Sequence, residues 1–249
     1  MGEHEQRVDR LVAAHLDRRR RGERHPVEDF LYTYYSHRPA QLRRWHPGAG
    51  VVLAGSPPHR RWRGYAEVPG GVAVDPDHLR QRITTVRFVR DLLAATASRP
   101  AFTGCLGLHE WAMVYRTSRP RHASWPLRLG RRGTDEVVER HQIRCTHFDA
   151  YRFFTGEARP RNAVTPTRER QLELEQPGCL HANMDLYKWA YKLSPLVPSE
   201  LLLDAFVLAR EIRELDMRAS PYDLTGLGYE PVAIETPDGK REYTTAQRA

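Results

Sequence analysis

Apolar positions recur at helical spacing along most of the chain, and the interruptions in that rhythm divide it into elements. Val8, Leu11, Val12 and Leu16 give a helix over 8–22 that closes on an arginine run and Gly22. Pro26 then stands at a first-turn position before a helix whose Phe30, Leu31, Tyr34 and Tyr35 are core candidates. A short helix over 40–45 follows Pro39. Between Gly50 and Val74 the rhythm changes to VVLAG, RWRGYAEV and GGVAV, separated by Gly and Pro, which reads as a β-hairpin. Leu79, Ile83, Val86, Val89, Leu92 and Leu93 predict a long helix over 76–98, and CLGLHEWAMVYR reads as a more buried one. The segment 116–133 reads as an exposed loop, 134–141 as a helix, IRCTHFDAYRFF as extended chain, and 166–176 as a charged helix. Helices over 177–193 and 198–219 come next, and the tail reads mostly as loop. The pattern predicts a mainly α fold. It comprises a basic N-terminal arm or helix over 1–24 and a single helical domain over 25–249, with a small β-hairpin or irregular lobe near 50–74.

The helix PGCLHANMDLYKWAYKL carries an unexpected polar stripe. At 3.6 residues per turn His181, Asp185, Lys188 and Lys192 share one face, while Leu180, Met184, Tyr187, Trp189, Tyr191 and Leu193 supply apolar and aromatic surface. One reading is a solvated stripe in which Asp185 pairs with the two lysines, each pair contributing about 0.2–0.5 kcal/mol. The other is a functional face.

Composition narrows the classes available. The chain has 249 residues, 40% hydrophobic and 28% charged, enough for one sizeable core. No apolar run approaches the roughly 18 residues of a membrane span, and the charged N-terminus lacks the apolar stretch of a secretory signal. The expectation is a cytoplasmic protein without membrane partners. Three cysteines with no C-x-x-C pair argue against a disulfide framework and a thiolate zinc site. The net charge of +8 favours a polyanionic partner. Yet 36 of the 39 basic residues are arginine, a bias that a GC-rich coding sequence also produces. The clusters are more telling: Arg18–Arg21; Arg60, Arg61 and Arg63 beside Trp62; Arg119, Arg121, Arg128, Arg131 and Arg132 around Trp125; and Arg159, Arg161, Arg168 and Arg170. Basic groups beside aromatic rings suit phosphate contact with base stacking.

Histidine and carboxylate recur together at three places, His109-Glu110, His147-x-Asp149 and His181-x-x-x-Asp185, and a fourth polar group of similar style comprises Asp216, Arg218, Tyr222 and Asp223. Taken singly, each is more easily a structural residue than a catalytic one; four of one style shift the balance. If the faces converge, two chemistries fit. A carboxylate could activate water or stabilise an oxocarbenium ion while aromatic faces hold an alkylated base by stacking and cation–π attraction. Alternatively, imidazoles and carboxylates could bind a metal such as iron, with His109, His147, Asp149 and His181 as candidate ligands. There is no H-E-x-x-H, and the absence of a P-loop or G-x-G-x-x-G speaks against a nucleotide cofactor.

The blocks HPVEDFLYTYYSHRPAQLRRWHPG, GLHEWAMVYR, HFDAYRFF, LEQPGCLHANMDLYKWAYKLSPLVPSELLLDAFVLAREIRELDMRASPYDL and GLGYEPVAIET resemble a family of bacterial proteins described as 3-methyladenine DNA glycosylases. The resemblance runs from about His25 onward. It implies hydrolysis of the N-glycosidic bond of an alkylated purine in duplex DNA, as a base-excision repair step, with no cofactor. On that reading Asp185 is the first choice for the catalytic carboxylate and Asp149 the second, with His181 and His147 positioning water or the sugar. Tyr187, Trp189, Tyr151 and Trp111 would stack on the base, and Lys188, Lys192, Arg61, Arg63, Arg131 and Arg132 would meet DNA. The alternatives are a His/carboxylate metal-dependent enzyme of the oxygenase type acting on a small molecule, with iron or another divalent metal, and a non-catalytic basic adaptor. The pattern specifies no oligomeric state.

Overall fold

The structure, a computed structural model, describes residues 2–120 and 122–249; Met1 and Arg121, the latter in the arginine-rich loop, lie outside the described residues. The element order is α1 (Gly2–Arg21), α2 (Phe30–Tyr34), α3 (Pro39–Leu42), β1 (Tyr65–Val68), β2 (Gly71–Val74), α4 (Pro76–Ala97), α5 (Leu108–Ala112), α6 (Gly130–Arg140), α7 (Phe148–Tyr151), α8 (Gln171–Leu174), α9 (Leu180–Leu193), α10 (Ser199–Arg218) and α11 (Pro237–Arg248). The fold is mainly α, as the periodicity predicts, with one antiparallel hairpin pairing Tyr65 with Val74 through Val68 with Gly71. No helix among the described residues is long and apolar enough to cross a membrane.

Contacts divide the chain into two compact units: residues 1–91 with 184–210, and residues 92–183 with 211–249. In the first unit, α1 buries His4, Val8 and Val12, spaced four apart on one face. Its first turn holds Glu3 and Glu5 and its last turn Arg18–Arg21, each complementing the helix dipole. Leu31, Tyr35, Leu42, Val72, Met184, Tyr187, Leu202 and Phe206 are all buried there. Gly71 is required by the approach of the neighbouring chain: a Cβ there would lie 2.0 Å from the Leu53 carbonyl oxygen, which accepts the Val72 amide at 2.9 Å.

The second unit is built on one apolar cluster that includes Leu108, Trp111, Tyr115, Val138, Ile143, Phe154, Leu180, Ile234 and Tyr243. Here three expectations are corrected. The extended segment expected over 143–154 contains helix α7, because the His147 imidazole caps it by accepting the Ala150 amide at 3.3 Å. The charged helix expected over 166–176 shrinks to α8. Pro166 and Pro177 bracket it, Pro177 disfavours helical backbone at Gln176, and too few residues remain to offset helix nucleation. The tail expected to be loop contains α11, capped by Thr236 with Pro237 at its first position and anchored by the fully buried Tyr243. Elsewhere, the helices expected at 26–37, 40–45 and 105–116 are each reduced to about one turn.

Candidate functional site

The second unit assembles a closed polar centre inside its apolar cluster. Gly107, at φ +69, lets the chain turn into α5, and α5 then carries His109 and Glu110 side by side. Helix α9 contributes His181 and α10 contributes Arg213 and Asp216. All five side chains are buried, Asp216 completely. His109 Nε2 donates to Asp216 Oδ1 at 2.6 Å, and Arg213 Nη1 donates to both Glu110 Oε1 at 2.9 Å and Asp216 Oδ2 at 2.7 Å. The His109 and His181 rings meet edge-to-face with centroids 4.4 Å apart. Each of His109, Glu110, His181 and Asp216 presents a ligand atom, all four within 4.8 Å of one another.

The electrostatics separate the two imidazoles. For His109, burial opposes the charged form, but the charge and hydrogen bond of Asp216 outweigh it and hold the pKa well above the ordinary value. For His181, burial and then the adjacent His109 charge push the pKa well below. Burial penalises the Asp216 carboxylate as well, yet His109 and Arg213 keep its pKa below the usual range. The centre therefore holds one imidazolium and one neutral imidazole, and a neutral imidazole carries a lone pair.

His147 stands beside this centre, its ring centroid 5.5 Å from that of His181. Since its Nδ1 accepts the Ala150 amide, its proton sits on Nε2, which lies 3.5 Å from Glu175 Oε1. Glu175 also accepts Gln171 Nε2 at 2.6 Å. Asp149, two residues on, pairs with Arg152 at 3.4 Å. Trp111 is fully buried and donates its Nε1 proton to the Ala219 carbonyl at 2.9 Å, while Tyr151 is half-buried against Phe154. Arg131 and Arg132 are exposed at the start of α6, Arg132 bonding Glu136 at 3.1 Å.

In the first unit the polar stripe of α9 does not face solvent. Asp185 is 1% exposed and Lys188 8%, with Lys192 alone exposed. Asp185 Oδ1 accepts the Tyr35 hydroxyl at 3.0 Å, and Oδ2 accepts the Lys188 ammonium. Burial and then the Asp185 charge raise the Tyr35 pKa far above normal, so that hydroxyl remains a donor. Tyr35 meets Tyr187 edge-on at 5.5 Å. Tyr187 also reaches His37 Nδ1 through its hydroxyl at 3.1 Å. Trp189 packs on Phe88 at 5.7 Å and carries Lys188 and Lys192 over its ring at 4.5 and 5.5 Å. Arg61 and Arg63 are exposed, and Arg63 and Lys192 line one concave surface.

Four residues central to these geometries escaped the sequence reading: Tyr35 ranked only as core, and Arg213, Glu175 and Gln171 drew no attention. Arg213 did leave a signal, since Arg213-x-x-Asp216 sets two charges one turn apart on a helix otherwise packed through Phe206, Ala209 and Met217. Comparison with protein-family models, curated proteins and solved structures finds no match to this chain.

Proposed function

We propose that the chain is a metal-dependent enzyme of the His/carboxylate type acting on a small molecule, with His109, His181, Asp216 and Glu110 as the metal ligands. The observation that carries this reading is the convergence of two imidazoles and two carboxylates within 4.8 Å inside an apolar shell. That donor set suits iron, manganese or zinc, and Arg213 supplies the outer contact that orients both carboxylates. A divalent ion held there would act as a Lewis acid on an oxygen ligand. His109 must release its proton to ligate, so affinity should rise with pH. Metal analysis after anaerobic loading with Fe(II), Mn(II) or Zn(II) is expected to give about one equivalent per chain. His181→Ala should abolish it while the helical circular dichroism is kept. Folded wild-type protein that retains no metal would reduce the centre to a buried ion network.

A second reading, hydrolysis of the N-glycosidic bond of an alkylated purine in DNA, is favoured by a different observation. Asp185 is a buried carboxylate positioned by Tyr35 and Lys188 among tyrosines, the surroundings a water-activating group requires. The resemblance of the sequence blocks to the 3-methyladenine glycosylase family supports the same reading. On it, Asp185→Asn should slow release of methylated base from alkylated duplex DNA by about 10²–10⁴-fold. No release by the wild-type protein would end this reading.

A further inference from the structure

The first unit contains a cavity of about 470 Å³ that the metal-centre reading does not use and of which the DNA reading takes only Arg63 and Lys192. Its wall combines the chain after α2, the approach to β1, the first turns of α4 and the C-terminal end of α9. Arg44, Arg63, Arg82 and Lys192 line it, and among the described residues no carboxylate does. Several other arginines of the chain pair with acids. Arg43 pairs with Asp9 and Glu5, Arg116 with Glu139 and Glu157, and Arg170 with Glu173. Four cations around one concavity repel one another, and an anion placed among them removes that cost. Arg82 is also tied to the Lys192 carbonyl, which fixes two of the four on one wall.

The neutral groups of the cavity fit the same ligand. His37 and His46 both line it, and each has its Nδ1 taken by a tyrosine hydroxyl outside it, Tyr187 at 3.1 Å and Tyr65 at 2.9 Å. Burial first, and then neighbouring positive charge, brings both imidazoles down to a pKa of about 4. With the tyrosine hydroxyl as donor to Nδ1, the neutral tautomer carries its proton on Nε2 and can donate there. His78, also on the wall, has a buried Nε2 with no hydrogen-bond partner among the described residues. A buried polar atom left unpaired is costly and is relieved when a ligand or water reaches it.

We infer that this cavity binds a small molecule through its phosphate ester or pyrophosphate group, held by Arg44, Arg63, Arg82 and Lys192. A multiply charged tetrahedral group matches four cations and the forked donors of guanidinium, whereas a single carboxylate leaves most of that charge uncompensated. A concavity of this size fits a small phosphorylated ligand better than the backbone of a duplex, which needs an extended surface.

The test is calorimetric titration of inorganic pyrophosphate into the full-length protein in low salt. The protein is first stripped of metal with a chelator that is then dialysed away, which keeps the result independent of the proposed metal centre in the second unit. Saturable binding is expected, weakened at least about tenfold by Arg63→Gln, partly restored by Arg63→Lys, and unchanged by Arg90→Gln. Melting temperatures of the three variants should match that of the wild type, Arg63 being exposed. Absence of saturable pyrophosphate binding overturns the inference, as does binding that Arg63→Gln leaves intact. Binding of a short DNA duplex that requires Arg63 but is not displaced by pyrophosphate would also overturn it, assigning the surface to nucleic acid backbone.

Discussion

His109 shows how little a single residue reveals before its neighbours are known. In sequence it stands next to Glu110, yet its closest partner is Asp216, 107 residues away. The pair, bridged by Arg213 to Glu110, balances two carboxylates with two cations in a water-free setting, where removing one member leaves an uncompensated charge costing about 3–5 kcal/mol. The pKa directions give a signed pH dependence. His109 keeps its proton in the folded state above its ordinary 6.5, so its contribution is complete below that pH and is lost as pH rises through the higher folded value. Asp216 acts at the other end: its contribution is present above 3.8 and is lost only as pH falls through its lower folded value. His181, held neutral in the fold, is protonated on unfolding below 6.5 and so weakens the fold on the acid side. Urea unfolding from about pH 7 to about pH 9 should therefore show wild-type stability falling by up to about 1.4 kcal/mol per pH unit more than that of His109→Gln. Equal slopes in the two proteins would mean that the native imidazole is uncharged.

Among the elements, length decides what the pattern can reveal. Helices α1, α4, α9 and α10 run 14 to 22 residues, and each has enough turns for its apolar spacing to stand out. Helices α2, α3, α5, α7 and α8 have only four or five residues, and no periodicity can be read over barely one turn. They persist through buried neighbours, with a capping side chain only at α3 (Gln41) and α7 (His147). Helix α11 is an intermediate case. Its exposed residues give it little apolar rhythm, and it depends on the Thr236 cap and on Tyr243. Gly239 lies in its first turn, where a Cβ would come within 2.0 Å of the Ala233 carbonyl oxygen. Gly239→Ala should cost about 1–3 kcal/mol by forcing the backbone apart. Gly226→Ala, where nothing lies within 4 Å, should be close to neutral. Thermal denaturation of the two variants checks this, and equal melting temperatures would show that the α11 entrance yields without cost.

For the whole molecule, the sequence by itself determined the fold class, the hairpin near 50–74 and the residue types from which a site could be made. Those depend on local periodicity, turn residues and composition, which act over a few neighbouring positions. It also placed His181 and Asp185 on one helical face. Only the tertiary structure decided which of these meet. His109, His181 and Asp216 converge because α5, the first turn of α9 and the last turn of α10 meet in the second unit, and no spacing in the chain encodes that encounter. The same packing buried Asp185 and Lys188, which a helical wheel shows just as well facing water. It also placed four cations around one cavity that, among the described residues, no carboxylate lines. Burial and long-range pairing arise when separate faces lose water to one another, and that outcome depends on every face at once.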